Sequence, residues 1–275
     1  MTCDHIGRRP INYMPCRYGT SQISFRGPKP DLRAPYVLFM GGTETYGKFV
    51  ISPYPNQTAR QLGLSAVNLG VCNTGPDLYL NEPTLTAFSR NAKATVVQLT
   101  SIQNLTNRYF SVHPRRNDRF VQAAELLRTI YRDVEFSEFH FTGHLMHHLH
   151  HIDPKRFDIL KVELQQAWCA RMKALILTLS GPVVLLNLTG LPDALGLLPT
   201  DQMIQDLRPL VHDILDAPVS PAARDEGTDR MIHAPLEKAA AEQLLSQRGH
   251  DELAEALATK LRPFVPQSDQ SIPAE

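Results

Sequence analysis

The chain has 275 residues, with 28 basic and 28 acidic side chains, and 43% of its residues are hydrophobic. This length suits one large α/β domain, and the charge balance provides no overall field for nucleic acid or for an anionic membrane surface. The cysteines Cys3, Cys16, Cys72 and Cys169 are scattered, unlike those of disulfide-rich or zinc-ribbon proteins. Without a recognisable secretion signal or membrane span, the sequence predicts a cytoplasmic protein with neither nucleic-acid nor membrane partners.

Residues 1–35 contain prolines and glycines without a clear period, and they predict an extended arm anchored by Tyr18 and Phe25. Short apolar or β-branched runs then predict strands at 36–40, 66–69, 94–100 and 183–189, with a weaker run at 210–215. Between them, helices are expected at 56–62, 77–91 and 117–131, and a long helix over 154–180.

The alternation of strands and helices predicts one α/β domain over residues 36–265, built as a three-layer, doubly wound, mostly parallel sheet. A helical insertion is expected at 132–153 and a loop at 216–230, followed by helices near 236–247 and 250–261. Residues 266–275 are expected to form a flexible tail.

The segment after the first predicted strand is the strongest indication of a site. It contains Gly41 and Gly42 followed by Thr43, Glu44 and Thr45. In open α/β sheets, ligands bind beyond the carboxyl ends of the strands, and glycines there allow a close approach of backbone N–H groups. We therefore place the site at this segment.

The order of motifs resembles the SGNH (GDSL-like) hydrolases. Their Gly-Asp-Ser-x-Thr block falls on residues 41–45, their Asn-x-Gly block on 68–70, and their Gly-x-Asn-Asp block on 101–104. Ala241 and Leu244 stand at the places of their C-terminal aspartate and histidine. The resemblance implies a flavodoxin-like fold and the cleavage or transfer of acyl esters. The phrases Gly-Gly-Thr-Glu-Thr-Tyr-Gly and His-Pro-Arg-Arg-Asn-Asp-Arg-Phe also resemble a bacterial domain family that we associate with alphaproteobacteria.

The resemblance implies that Thr43 is the nucleophile and that the oxyanion or substrate is bound by Gly42, Thr45, Gly70, Gln103 and Asn104. Because the usual histidine is replaced, the base must come from elsewhere in the chain. The candidates are His233, with Asp229 four residues before it, and His113. The alternative is that Thr43 is a turn or N-cap hydroxyl and that both histidines are ordinary surface residues.

Residues 104–119 contain four arginines and three asparagines. Arginine binds carboxylate, phosphate or sulfate in a bidentate manner, and a helix beginning near Asn117 would add its positive end. Candidate anion-binding residues are Asn107, Arg108, Arg115 and Arg116. The alternative is a loop with salt bridges to Asp118, Asp133, Glu135 and Glu138.

Two further motifs carry weaker hypotheses. Residues 42–48 fit the Gly-x4-Gly-Lys pattern of a phosphate loop, but Phe49 follows where a Mg²⁺-dependent NTPase needs a hydroxyl. The histidines between His140 and His151 could share a helix face with Asp153 nearby, yet a solvated or interface helix is the simpler interpretation. No metal and no cofactor are expected.

The leading hypothesis is an SGNH-like ester hydrolase or acyltransferase acting on a polar, anionic small-molecule or glycan substrate. The first alternative is an anion- or glycan-binding protein on the same scaffold without catalysis. The second is sulfotransferase-like group transfer by the loop Gly42 to Lys48.

Overall fold

The computed structural model describes residues 10–265. The strands in this range are β1 Tyr36–Met40, β2 Ser65–Asn68, β3 Ala94–Gln98, β4 Phe110–His113, β5 Arg116–Ala123, β6 Val183–Thr189 and β7 Asp213–Pro218. The α-helices are α1 Thr43–Tyr46, α2 Tyr54–Gln61, α3 Asp77–Leu80, α4 Pro83–Thr86, α5 Glu125–Ile130, α6 Thr142–Ile152, α7 Pro154–Thr178, α8 Asp201–Gln205, α9 Pro221–Glu226, α10 Lys238–Ala241 and α11 Gln247–Leu261. Short 3₁₀ helices cover Ala87–Asn91, Phe136–Glu138, Arg208–Leu210, Pro235–Glu237 and Arg262–Phe264. Cys3, the start of the expected arm and the expected tail at 266–275 lie outside the described residues.

The central sheet is parallel throughout. Its five strands lie in the order β2-β1-β3-β6-β7, and each neighbouring pair is parallel. The chain runs from β1 to β2 on one side and then returns to the other side of β1 with β3. This is the flavodoxin-like order of doubly wound folds. The predicted α/β fold class is confirmed.

Helices cover both faces of the sheet, which explains why its strands are apolar on both sides. In β1, Leu38 belongs to a buried cluster that includes Trp168 of α7. Val37 and Phe39 belong to a different cluster, which includes Leu257 of α11. Because successive side chains of a strand point to opposite faces, α7 and α11 lie on opposite faces and complete the three layers.

The long helix α7 begins where the sequence predicts. Asp153 caps it by accepting hydrogen bonds from the backbone N–H groups of Lys155 and Arg156 at 2.9 and 3.1 Å, and Pro154 occupies the first turn. The helix ends at Thr178, two residues before the predicted end. Within residues 10–265, no helix combines the length and the apolar character needed to cross a membrane.

The helix predicted at 117–131 is wrong over its first half. Residues 116–123 form β5, which pairs antiparallel with β4, and α5 begins only at Glu125. The spacing of Phe120, Ala124 and Leu127 fits a helix, whereas register irregularities between β4 and β5 obscure the alternation typical of a strand. In the described chain no helix starts at Asn117, so the positive helix end expected there is absent.

Other differences follow from prolines and short turns. The helix predicted at 77–91 is divided, with Pro83 opening α4. The last strand is displaced from 210–215 to Asp213–Pro218 and follows a 3₁₀ turn that contains Pro209. The loop predicted at 216–230 starts within β7 and holds α9, and the helix predicted at 236–247 is reduced to a 3₁₀ turn and α10.

The segment before β1 packs against the domain through aromatic side chains and an arginine. Tyr18 and Phe25 are buried, with their ring centroids 5.7 Å apart. Arg26 is also buried, and its guanidinium donates to the carbonyl oxygens of Tyr46, Gly47, Val50 and Ile51. These bonds connect the segment to the chain that follows α1.

Candidate functional site

A cavity of about 460 Å³, which we call the Thr43 cavity, lies at the carboxyl ends of β1 and β3. The winding of the sheet reverses between these strands, which is where open α/β sheets bind ligands. Its polar lining residues are Thr43, Glu44, Asn73, Thr74, Gln98, Thr100, Ser101, Gln103, Asn104, Asp118, Thr142, His147, Asp193 and Gln243. The volume is that of a small-molecule site. The segment singled out in the sequence therefore borders a suitable cavity.

Gln98, the last residue of β3, fixes the loop after β1. Its Oε1 accepts hydrogen bonds from the N–H groups of Gly42 at 3.0 Å and Thr45 at 3.2 Å, and from the Thr45 hydroxyl at 2.6 Å. Its Nε2 donates to Glu44 Oε2 at 3.0 Å. Since Gln98 is only 5% exposed, these bonds are shielded from water and hold the loop in one conformation.

This arrangement argues against a phosphate loop. A P-loop binds phosphate through backbone N–H groups that point at the anion. Here the N–H groups of Gly42 and Thr45 donate to Gln98 instead. Lys48 lies over the ring of Phe49, 4.6 Å from its centroid, in the wall of a second cavity. The sulfotransferase-like alternative therefore gains no support from the structure.

The hydroxyl of Thr43 is engaged with Asn73. It donates to Asn73 Oδ1 at 3.1 Å and accepts from Asn73 N–H at 3.0 Å. Asn73 has a φ of 54°, a left-handed conformation that asparagine tolerates better than most residues. Because an amide oxygen is not a base, Thr43 is not activated as a nucleophile in this arrangement. The bonds match the alternative in which Thr43 is a turn hydroxyl.

Glu44 is a carboxyl group in the same cavity wall. Glu44 is half-buried. Burial raises the pKa of Glu44, and the hydrogen bond from Gln98 opposes that effect. Carboxyl groups with a raised pKa in a cleft are candidates for acid–base chemistry.

The structure does not bring either predicted base into this cavity. His233 lines the second cavity, of about 1200 Å³, together with Asp229, because the chain after α9 borders that cavity instead. Its Nδ1 lies 3.0 Å from the carbonyl oxygen of Ala234. His113 is exposed at the β4–β5 turn, and its Nδ1 accepts a hydrogen bond from the backbone N–H of Arg115 in that turn at 3.2 Å. Among residues 10–265, the histidine that lines the Thr43 cavity is His147 of α6.

The predicted oxyanion residues separate into two groups. Gln103 and Asn104 line the cavity, and Asn104 Nδ2 donates to the carbonyl oxygen of Asn73 at 2.8 Å. Gly70 is not a lining residue in the described chain, and its N–H donates to Asn68 Oδ1 at 2.8 Å. A Cβ on Gly70 would lie 2.3 Å from the backbone nitrogen of residue 46, so close packing requires glycine there.

Two other predicted binding residues have local roles. Thr45 is fully buried, and besides Gln98 its hydroxyl contacts the Tyr54 hydroxyl at 2.7 Å. Gly42 lines the cavity, but its N–H is bonded to Gln98. Both residues hold the loop after β1 in its conformation. Within the described chain, the Thr45 hydroxyl and the Gly42 N–H can bind a ligand only after these bonds break.

The predicted anion-binding residues lie away from this cavity within the described range. Arg108 forms an ion pair with Glu163 at 2.5 Å, and Arg115 pairs with Glu82 at 2.5 Å. Arg116 is exposed on β5. Asn107 Oδ1 accepts from the backbone N–H groups of residues 109 and 110. The salt-bridged alternative is the better description, although the acids differ from those expected because the segment folds as a hairpin.

The histidine-rich segment lies largely on α6. The rings of His144 and His148 contact Phe139 at centroid distances of 4.9 and 5.0 Å. Across the part of the chain that the structure describes, no group of three or more His, Cys, Asp or Glu side chains is arranged to hold a metal ion.

Sequence reasoning missed the positions of Glu44, Gln98 and His147. Gln98 is a polar residue that closes an otherwise apolar strand, a pattern that could have indicated a buried amide facing the site. Glu44 lies within the motif that was singled out, but it received no role. His147 was one histidine in a run of similar ones, and the sequence does not show which of them faces the sheet edge.

Comparison with known proteins gives a family match and distant structural similarities. The family model described as Domain of unknown function (DUF6473) matches residues 1–265. No curated protein matches the sequence. An acetylxylan esterase from Geobacillus stearothermophilus is similar at 13% identity and a TM-score of 0.41, over 85% of this chain and 97% of that chain. A protein described as a GDSL-like lipase from Parabacteroides merdae is similar at 14% identity and a TM-score of 0.42, over 82% and 96%. None of these matches bears on the alphaproteobacterial association.

Proposed function

Since the chain belongs to the DUF6473 family of domains of unknown function, we propose its function from the site: it hydrolyses or transfers the acyl group of a polar ester in the cavity between β1 and β3. The observation that carries this proposal is that Thr43, Glu44 and His147 line one cavity at the switch point of the sheet. A hydroxyl, a carboxyl and an imidazole in one cleft are the groups that acyl transfer requires.

In the proposed reaction, Thr43 Oγ1 attacks the carbonyl carbon of the ester while its proton passes to an imidazole nitrogen of His147. The carbonyl oxygen becomes an oxyanion, to which the side-chain amides of Gln103 and Asn104 can donate. The bond to the alcohol then breaks as the alcohol takes the proton from His147. Water or an acceptor alcohol attacks the acyl group on Thr43, releases the acid or a new ester, and restores the hydroxyl.

The proposal keeps the predicted nucleophile and changes the base. The SGNH resemblance places Leu244 where those hydrolases have histidine, and Leu244 lines the Thr43 cavity. The position of Leu244 supports a site in this cavity, with a base that comes from another element. His147 of α6 fulfils that condition. Thr43 must exchange its bond to Asn73 for one to the base, a change that can accompany substrate binding.

A ligand-binding protein without turnover is the second candidate. It is favoured by the hydroxyl of Thr43, which donates to the amide oxygen of Asn73 at 3.1 Å and not to a base. It is also favoured by Leu244, which offers the cavity wall no proton-accepting group.

Hydrolysis of p-nitrophenyl acetate and butyrate tests the proposal. We expect Thr43→Ala to abolish turnover, Thr43→Ser to retain it, and His147→Gln to reduce kcat about a hundredfold or more. The matched control is Thr259→Ala, because Thr259 is exposed on α11 and its hydroxyl donates to the backbone carbonyl oxygen of Glu255 in the same helix at 3.0 Å. Thermal unfolding of each variant verifies that it is folded.

Full activity in Thr43→Ala would remove Thr43 from the chemistry. Absence of turnover in the parent protein across acyl esters, together with measurable ligand binding, would establish the second candidate. Loss of activity in Thr43→Ala with unchanged activity in His147→Gln would retain the nucleophile and exclude the proposed base.

A further inference from the structure

The fixed charges in the walls of the Thr43 cavity are negative. Glu44, Asp118 and Asp193 line it, whereas no lysine or arginine does so among residues 10–265. Both oxygens of Asp193 are already engaged, since they accept from the N–H groups of Leu197 and Leu198 at 2.7 and 3.0 Å. The cavity therefore repels anions, and the carboxyl groups left for a ligand belong to Glu44 and Asp118.

The carboxylate of Asp118 has no partner within the part of the chain that the structure describes. Asp118 lies on β5, and its backbone carbonyl oxygen accepts a hydrogen bond from the hydroxyl of Thr142 at 3.4 Å. A partly buried carboxylate without a counter-charge is a site where a bound cation gains electrostatic energy.

The side-chain amide oxygen of Gln103 also receives no hydrogen bond within the described chain. This Oε1 atom is buried, although the residue lines the cavity. Buried polar atoms are usually bonded, so an unbonded amide oxygen beside a cavity is available to a donor on a ligand after a small rotation of the side chain. The polar wall therefore offers acceptors to a ligand that carries donors.

The remaining wall is apolar. The cavity is lined by Leu188 of β6, by Leu191, Leu195 and Leu198 after that strand, and by Leu244. Such a wall favours an aliphatic group, because burying it removes apolar surface from water.

We propose that the ligand of this cavity is an aliphatic amine, with its ammonium group bound by Asp118 and Glu44 and its carbon chain packed on the leucines. The identification of the substrate as an amine-bearing ester rests on the proposed function. The preference of the cavity for an amine follows from its lining residues alone. It replaces the anionic substrate predicted from the arginines, of which Arg108 and Arg115 are paired with glutamates outside this cavity.

Isothermal titration calorimetry with hexylamine, hexanoate and 1-hexanol tests the charge preference at constant chain length. We expect the parent protein to bind hexylamine about tenfold or more tightly than hexanoate, with 1-hexanol between them. Asp118→Asn should weaken hexylamine about three- to tenfold and leave 1-hexanol unchanged. The matched control is Asp158→Asn on α7, because the Asp158 side chain is 70% exposed and only 3.7 Å from its partner Lys161.

Equal or tighter binding of hexanoate, or no binding of any of the three probes, would overturn the inference. An unchanged hexylamine affinity in Asp118→Asn would do the same for the role of Asp118. These results are separable from catalysis. Hexylamine binding without turnover of any ester would retain the inference and remove the proposed function, and ester turnover with a preference for hexanoate would retain the function and remove the inference.

Discussion

The hydrogen bonds of Gln98 predict that its replacement by leucine destabilises the fold. Gln98→Leu keeps the approximate size of the side chain but removes the acceptor of two buried N–H groups, those of Gly42 and Thr45. Each buried N–H left without a partner costs about 1–3 kcal/mol. The added apolar burial offsets about 1 kcal/mol of this cost. We therefore expect the free energy of unfolding to fall by about 1–5 kcal/mol.

Urea unfolding can measure this change through the fluorescence of Trp168, the single tryptophan, which is fully buried. A domain of this size should also lose roughly 5–15 °C in Tm. Gln98→Glu is the informative comparison, because it keeps the acceptor oxygens but places a second carboxyl beside Glu44. Two carboxyl groups in contact cannot easily both ionise, so this variant should be closest to the parent in acid and weaken as the pH rises.

Gln202→Leu is the control, since Gln202 is exposed on α8 and its side-chain amide donates to Asp206 Oδ1 at 2.9 Å. A loss below about 0.5 kcal/mol in Gln98→Leu, comparable to an ordinary surface change, would refute the role assigned to this side chain. So would equal destabilisation by leucine and glutamate at acidic pH.

Two further predictions concern histidine. Burial lowers the pKa of His250 to about 3, and its Nδ1 accepts from Tyr54 N–H at 3.2 Å. Because an unfolded histidine titrates near 6.5, this group stabilises the fold fully above about pH 6.5, and its contribution is lost as the pH falls toward 3. His250→Asn should therefore lose less stability than the parent between neutral and acidic pH in urea titrations, and an equal loss would contradict the assignment. Separately, Leu244→His adds an imidazole to the cavity wall and should raise ester hydrolysis about tenfold or more at a pH where that imidazole is neutral; an unchanged rate in a folded variant would speak against Thr43 as nucleophile.

The central strands could be predicted because each is buried on both faces. Residues 36–40 form an apolar run and residues 183–189 an apolar or β-branched run interrupted only by Asn187, and the bounds of both strands in the structure are the predicted ones. The hairpin was missed for the opposite reason. In β5 the buried residues include Asn117, while Val121 is exposed, so neither hydrophobic alternation nor composition indicates a strand. Its pairing with β4 is a tertiary contact that local propensity does not encode.

The sequence could predict where in the fold the candidate site lies, but not which residues line it. Thr43 follows the first strand, and the rule for doubly wound sheets places the carboxyl end of that strand at the cavity. The partner histidine depends on which loops reach the same edge. His233 follows the last strand in sequence, yet its loop turns toward the second cavity, whereas His147 of α6 lines the Thr43 cavity. Sequence spacing carries no information about that choice.

The chain between β3 and α7 contributes to this cavity in two ways. It supplies Asp118 and His147 to the cavity wall. It also supports the neighbouring loop through Asn117. The Oδ1 atom of Asn117 accepts hydrogen bonds from the Thr74 hydroxyl and from the N–H groups of Gly75 and Leu78 at 3.0–3.2 Å. That loop carries Asn73, the residue bonded to Thr43. The segment that the sequence suggested for anion binding therefore supports the loop that is bonded to Thr43, and it contributes the carboxylate of Asp118 to the cavity wall. A doubly wound sheet fixes where a ligand binds, and an insertion that reaches over its edge determines the charge and the chemistry that the ligand meets.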